Sequence, residues 1–143
     1  MFISDNKAQQ RHIVKTGFVY LLISLFCVMF GAVYEHFSHE VYSRYMIYAF
    51  VCPLAGGALP LMSMSLFRCR HLPGRLALNL YNAGIATLTI GSIMKGVMEI
   101  YGTTNDILRI YWIVGFGFVG IGLLLYAIEL LTNRKREFQQ ENL

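Results

Sequence analysis

Four apolar stretches, residues 16–35, 45–67, 76–100 and 109–131, follow one another with only short polar links between them. Each is at or above the roughly 20 residues that a helix needs to cross about 30 Å of hydrocarbon. Lipid offers no partner to a backbone N–H or C=O, so such a stretch must close its hydrogen bonds within itself, and a helix does so. The expected fold is all-α: an integral membrane four-helix bundle, up-down-up-down because short links favour antiparallel neighbours. It forms a single four-span transmembrane domain over residues 1–143. Only 14% of the 143 residues are charged while 56% are hydrophobic, a balance that excludes a disordered chain. The links are too short for a soluble catalytic domain.

The basic residues are distributed unevenly about these stretches. Lys7, Arg11 and Lys15 precede the first, Arg68, Arg70 and Arg75 fill the middle link, and Arg134, Lys135 and Arg136 follow the last. On the opposite side stand only Arg44 and Arg109. Basic residues near span ends are retained in the cytoplasm, so the tails 1–15 and 132–143 are expected there, in a multi-pass protein of the cell membrane. The lipid bilayer is the partner that these basic clusters meet, and no nucleic acid is expected. The first stretch is too long for a signal h-region and reads as an uncleaved anchor. Cys27, Cys52 and Cys69 form no C-x-x-C pair, and no structural disulfide is expected.

The second stretch contains Cys52-Pro-Leu-Ala-Gly-Gly-Ala-Leu-Pro60. Pro53 and Pro60 each remove a donor and crowd the carbonyl four residues earlier, while Gly56 and Gly57 let a neighbour approach, so this helix should be kinked. Counted from Tyr45, Gly56 and Gly57 lie roughly 17 Å in, near the bilayer middle, where discontinuous helices line transporter sites. In the third stretch Asn79, Ala83, Thr87, Gly91, Lys95 and Glu99 recur at steps of four, a slanted row of small and polar side chains where another helix should pack. Gly115-Phe-Gly-Phe-Val-Gly120 matches the letters G-x-G-x-x-G, but it lies inside one apolar helix with no preceding strand and signals close packing, not a dinucleotide.

Ionisable residues collect at the outer end. Rising about 1.5 Å per residue from Leu76, Lys95 lies about 28 Å up, and Glu35 reaches a similar height on the first span. Glu99 lies one turn above Lys95, and the first outer link supplies His36, His39 and Glu40. A charge at this depth needs a partner or water, so Glu35, His36, His39, Glu40, Lys95 and Glu99 are the candidate ligand-binding set. Lys95 would pair with a carboxylate or anchor an anionic ligand. If the first helix continues to residue 40, His36, His39 and Glu40 share a face and form a candidate site for a divalent metal such as zinc. No other cofactor is expected. Histidines lie only at or beyond span ends, which disfavours haem, and no nucleophile–base arrangement is apparent.

The leading functional expectation is thus a small transporter, or a ligand- or ion-binding component, with an outward-facing polar pocket, working as a single chain or as a homodimer. An alternative is a noncatalytic accessory or scaffold subunit, docking another membrane protein through the small-residue ridges of its third and fourth spans. A further alternative, an intramembrane enzyme acting on lipid or quinone, lacks an identifiable reactive residue.

Overall fold

The computed structural model describes residues 2–38, 41–66, 72–103 and 105–141. Among them the regular structure is entirely helical. Helix α1 spans Phe2–Phe37, α2 Arg44–Ile47, α3 Leu59–Leu66, α4 Arg75–Ile100 and α5 Arg109–Glu141. A π-helical segment, Cys52–Ala58, leads into α3, and a 3-10 turn, Asp106–Leu108, leads into α5. Four helical stretches, Ala8–Phe37, Arg44–Leu66, Arg75–Ile100 and Asp106–Lys135, are long and apolar enough to cross a membrane.

The surface agrees with that composition. Phe26, Met29, Ile113 and Leu124 are each more than half exposed, and exposed large apolar side chains of this kind recur along all four helical stretches. The interior is narrow. Ile13, Tyr20, Ala58, Leu61, Leu78 and Ile85 form its buried cluster, drawn from α1, the second stretch and α4.

Contacts give the order of packing. Gly17 meets Met62, Gly57 meets Tyr20, and Gly31 meets Met46, so residue numbers rise along α1 as they fall along its partner. The same antiparallel relation joins α4 to the second stretch through Ile85 with Gly56, Ser92 with Cys52 and Met46 with Gly96. It also joins α4 to α5 through Tyr81 with Gly122, Gly84 with Val119 and Gly91 with Tyr111. Helix α4 is therefore central. Helix α5 packs chiefly against α4, and its apolar window is 11% buried where that of α4 is 44%.

The expected row at steps of four is not the face that α4 gives to α5. Of its members only Gly91 is buried, while Asn79, Ala83 and Glu99 are exposed. A step of four overshoots one turn of 3.6 residues by about 40°, so such a row leaves any straight interface after two steps. Ala77, Tyr81, Gly84, Leu88 and Gly91, with alternating steps of four and three, stay on one face and meet α5. At Gly84 an added Cβ would lie 2.7 Å from the Val119 backbone nitrogen and 2.8 Å from the Gly115 carbonyl oxygen. Backbones approach there as only glycine permits. The G-x-G-x-x-G letters lie within uninterrupted α5, but of its three glycines only Gly115 packs against a neighbour, while Gly117 and Gly120 have nothing within 4 Å of an added Cβ.

The second stretch is discontinuous rather than simply bent. After α2 come three turn residues and the helical Val51, then the π-helical segment with Pro53 buried in its first turn. Pro60 has no N–H for the Gly56 carbonyl four residues earlier. The Tyr81 hydroxyl of α4 donates to that oxygen at 2.6 Å. The ring of Tyr20 covers Gly57, and Ile85 Cδ1 occupies the space where a Gly56 Cβ would lie. The Tyr20 hydroxyl donates onward to Asn82 Oδ1 at 3.0 Å. Two glycines thus admit one side chain from each neighbouring helix, and a tyrosine replaces the donor that proline lacks. Cys27 is buried, Cys52 is half-buried, and both are free thiols.

Replacing Tyr81 by Phe should destabilise the protein by about 1–3 kcal/mol, the cost of leaving a part-buried acceptor unsatisfied. In a Pro60→Ala background, where residue 60 regains an N–H, the same change should cost less. Unfolding of the four proteins of this cycle in detergent measures the coupling; equal costs in both backgrounds would contradict it.

Candidate functional site

The end of α4 is shaped by a backbone motif. Gly102, at φ 73°, adopts the left-handed conformation. Gly102 N donates to the Glu99 carbonyl at 3.1 Å and Thr103 N to the Met98 carbonyl at 3.0 Å. These bonds close the last carbonyls of the helix and turn the chain back. Asn105 Oδ1 then accepts from Ile107 N at 3.0 Å and starts the 3-10 turn that carries Asp106 towards α5. The short connection therefore brings Asp106, Arg109 and Trp112 beside the last two turns of α4.

Between them lies a cleft of about 240 Å³. Lys95, Glu99 and Met98 line it from α4, Asp106 and Asn105 from the connection, and Arg109 and Trp112 from α5. The half-buried Lys95 sets its Nζ 4.2 Å from the centre of the Tyr45 ring of α2. The Tyr45 ring meets Trp112 edge-on, with centroids 6.3 Å apart. An ammonium is drawn to the negative face of an aromatic ring, most strongly where water is scarce. Among the described residues Lys95 has no carboxylate oxygen within 4.0 Å. Glu99 is engaged elsewhere: its Oε2 accepts from the buried Ser43 hydroxyl at 2.5 Å, which ties the residue before α2 to α4.

Of the ligand-binding set expected from sequence, the structure brings Lys95 and Glu99 to this cleft. Glu35 is half-buried on α1, outside the cleft lining, and forms no ion pair with Lys95. Its Oε1 is buried without a hydrogen-bond partner among the described residues. His36 is exposed, its ring edge-on to Phe37 at 5.6 Å. His39 and Glu40 lie outside the described residues. Of the metal triad, then, only His36 is described, and no group of three His, Cys, Asp or Glu among the described residues is placed to hold a metal. Pro53, Gly56, Gly57 and Pro60 are brought together at the π-helical break and serve packing there.

Tyr45 and Trp112 stand in aromatic-rich segments at span ends, where rings form an interfacial belt by default and can also wall a cation site beside Lys95 and Glu99. Their role beside Lys95 depends on rotation about the helix axis, which spacing within a single helix does not reveal. Asp106 and Arg109, three residues apart at the start of a span, offered a local signal. Glu129 offered another, as a lone carboxylate within an apolar stretch; its Oε2 accepts from Gly74 N at 2.7 Å and fastens the link before α4 to α5. No family model, curated protein or solved structure matches this chain, so its residues carry the functional argument alone.

Tyr45→Leu should cost about 0.5–2 kcal/mol more in the wild-type background than in Lys95→Met, because only the former loses a cation–π contact. Tyr45→Phe should retain it. Thermal unfolding in detergent checks the series, and an equal cost in the two backgrounds would exclude the contact.

Proposed function

We propose that the protein crosses the cell membrane four times, up-down-up-down with both termini cytoplasmic, and binds a small ligand bearing an anionic group in its outward cleft. It would act as a transporter or as a binding component. The observation that carries this reading is the half-buried Lys95 ammonium, set over an aromatic ring and, among the described residues, paired with no carboxylate, although Glu99 and Asp106 share the cleft lining. A structural lysine at a membrane boundary is served by a carboxylate or by headgroups. One held over a ring keeps its hydrogen-bond donors available, and Arg109 adds a second cation to the same lining. The nine-to-two placement of the basic residues named above supports the orientation.

Native mass spectrometry of the protein from gentle detergent tests the reading. Wild type should carry a small nonprotein mass, and Lys95→Met should weaken its retention about tenfold, the loss expected for one charge-assisted hydrogen bond. Membrane insertion should be unchanged. Equal retention by the variant would overturn the proposal.

A second reading, an accessory subunit docked on another membrane protein or on its own copy, draws on α5. Gly84, Gly91, Gly115 and Gly122 are filled against neighbours, whereas Gly117 and Gly120 have nothing within 4 Å of an added Cβ. Gly117→Leu should therefore leave the monomer's melting temperature nearly unchanged. Under this second reading it should also abolish co-purification of a stoichiometric partner; persistence of the partner would refute docking through this face.

A further inference from the structure

At the opposite end of the bundle a cavity lies between α1, α4 and the link that precedes α4. Gln9 and His12, three residues apart, face this space from α1, and Arg75 and Asn79, four apart, face it from α4. Gln9 Nε2 donates to the Pro73 carbonyl at 2.7 Å and so fixes the link as one wall. Buried Leu78 and Pro73 supply apolar lining. The cavity measures about 480 Å³, twice the outer cleft.

The lining is rich in donors. The Arg75 guanidinium and the side chains of His12 and Asn79 make no hydrogen bond or ion pair within the protein among the described residues. No described residue of the lining is a carboxylate. The carboxylate that does reach this link, Glu129, is engaged by Gly74 N. Unengaged donors converging from two helices suit an anion with several oxygens, and a guanidinium matches phosphate with two parallel bonds. Arg11, Lys15, Arg134 and Lys135 lie toward the same end by sequence and add to the attraction.

We propose that this cavity binds a phosphate group, carried by an anionic lipid headgroup or by a soluble phosphate. The site is separate from the outer cleft and does not depend on the reading of Lys95.

The full-length protein in detergent, titrated with phosphatidylglycerol, phosphatidylcholine and inorganic phosphate and read by native mass spectrometry, tests this. Wild type should retain phosphatidylglycerol over phosphatidylcholine, and Arg75→Gln should weaken retention about tenfold. Asn79→Asp, nearly isosteric at an exposed position, places a carboxylate in the cavity and should have a similar effect even if Arg75→Gln folds poorly. Lys135→Gln, at an exposed site outside the cavity, should change retention less than about twofold. Displacement of the lipid by excess inorganic phosphate would show that the phosphate alone is recognised, whereas lipid retained against it would assign the anion to a headgroup. Wild-type retention in both cavity variants, an equal loss in Lys135→Gln, or failure of wild type to hold either anion would overturn the proposal.

Discussion

Pro60 has no hydrogen to give the Gly56 carbonyl, and Tyr81 on the neighbouring helix supplies one at 2.6 Å. Away from water an unpaired carbonyl is costly, so this bond holds α4 in one register against the broken second stretch. The register then runs outward along α4. Ser92 Oγ lies 3.9 Å from Cys52 Sγ, Gly96 admits Met46, Lys95 reaches the Tyr45 ring, and Glu99 meets Ser43. A slip of one residue would rotate α4 by about 100° and break all of these contacts together. The position of the Lys95 ammonium is thus a consequence of packing that begins four turns away.

The second determinant is the way α5 is attached. It rests on α4 through glycines that bring the two backbones together, and its other side is left open. Close approach of this kind gains dispersion contacts without needing water to drive it. It also lets one helix contribute at both ends: Arg109 and Trp112 to the cleft beside Lys95, Glu129 to the link before α4. The two ends are chemically unlike. The cleft beside Lys95 mixes both signs of charge around an aromatic pair, whereas the described lining of the opposite cavity carries a guanidinium, an imidazole and amides beside apolar residues, with no carboxylate.

Much of the local structure was legible in the residues. Two prolines around paired glycines marked the break in the second stretch, because loss of a donor and loss of a side chain act locally. That the break would be π-helical, and that Tyr81 would serve its carbonyl, required knowing which helix lies alongside. The site was less legible. Height along an axis placed Lys95, Glu99 and Glu35 at one level, since rise per residue is nearly constant. Height does not give azimuth. Glu35 lies at that level but outside the cleft, and the lysine meets a tyrosine instead. The row at steps of four packs only towards its end, Gly91 against Tyr111, Lys95 against Tyr45 and Glu99 against Ser43, for the related reason that it turns steadily around its own helix.

What the sequence determined alone is the all-helical, four-stretch character of the chain, because hydrocarbon-length apolar runs must close their hydrogen bonds internally, residue by residue. What the tertiary structure decided is which side chains share a space: Lys95 with Tyr45 and Arg109, Arg75 with His12, Tyr81 with Gly56. Those meetings depend on the rotation and register of whole helices against one another. Both follow from the sum of many contacts between distant parts of the chain, and no local pattern contains that sum.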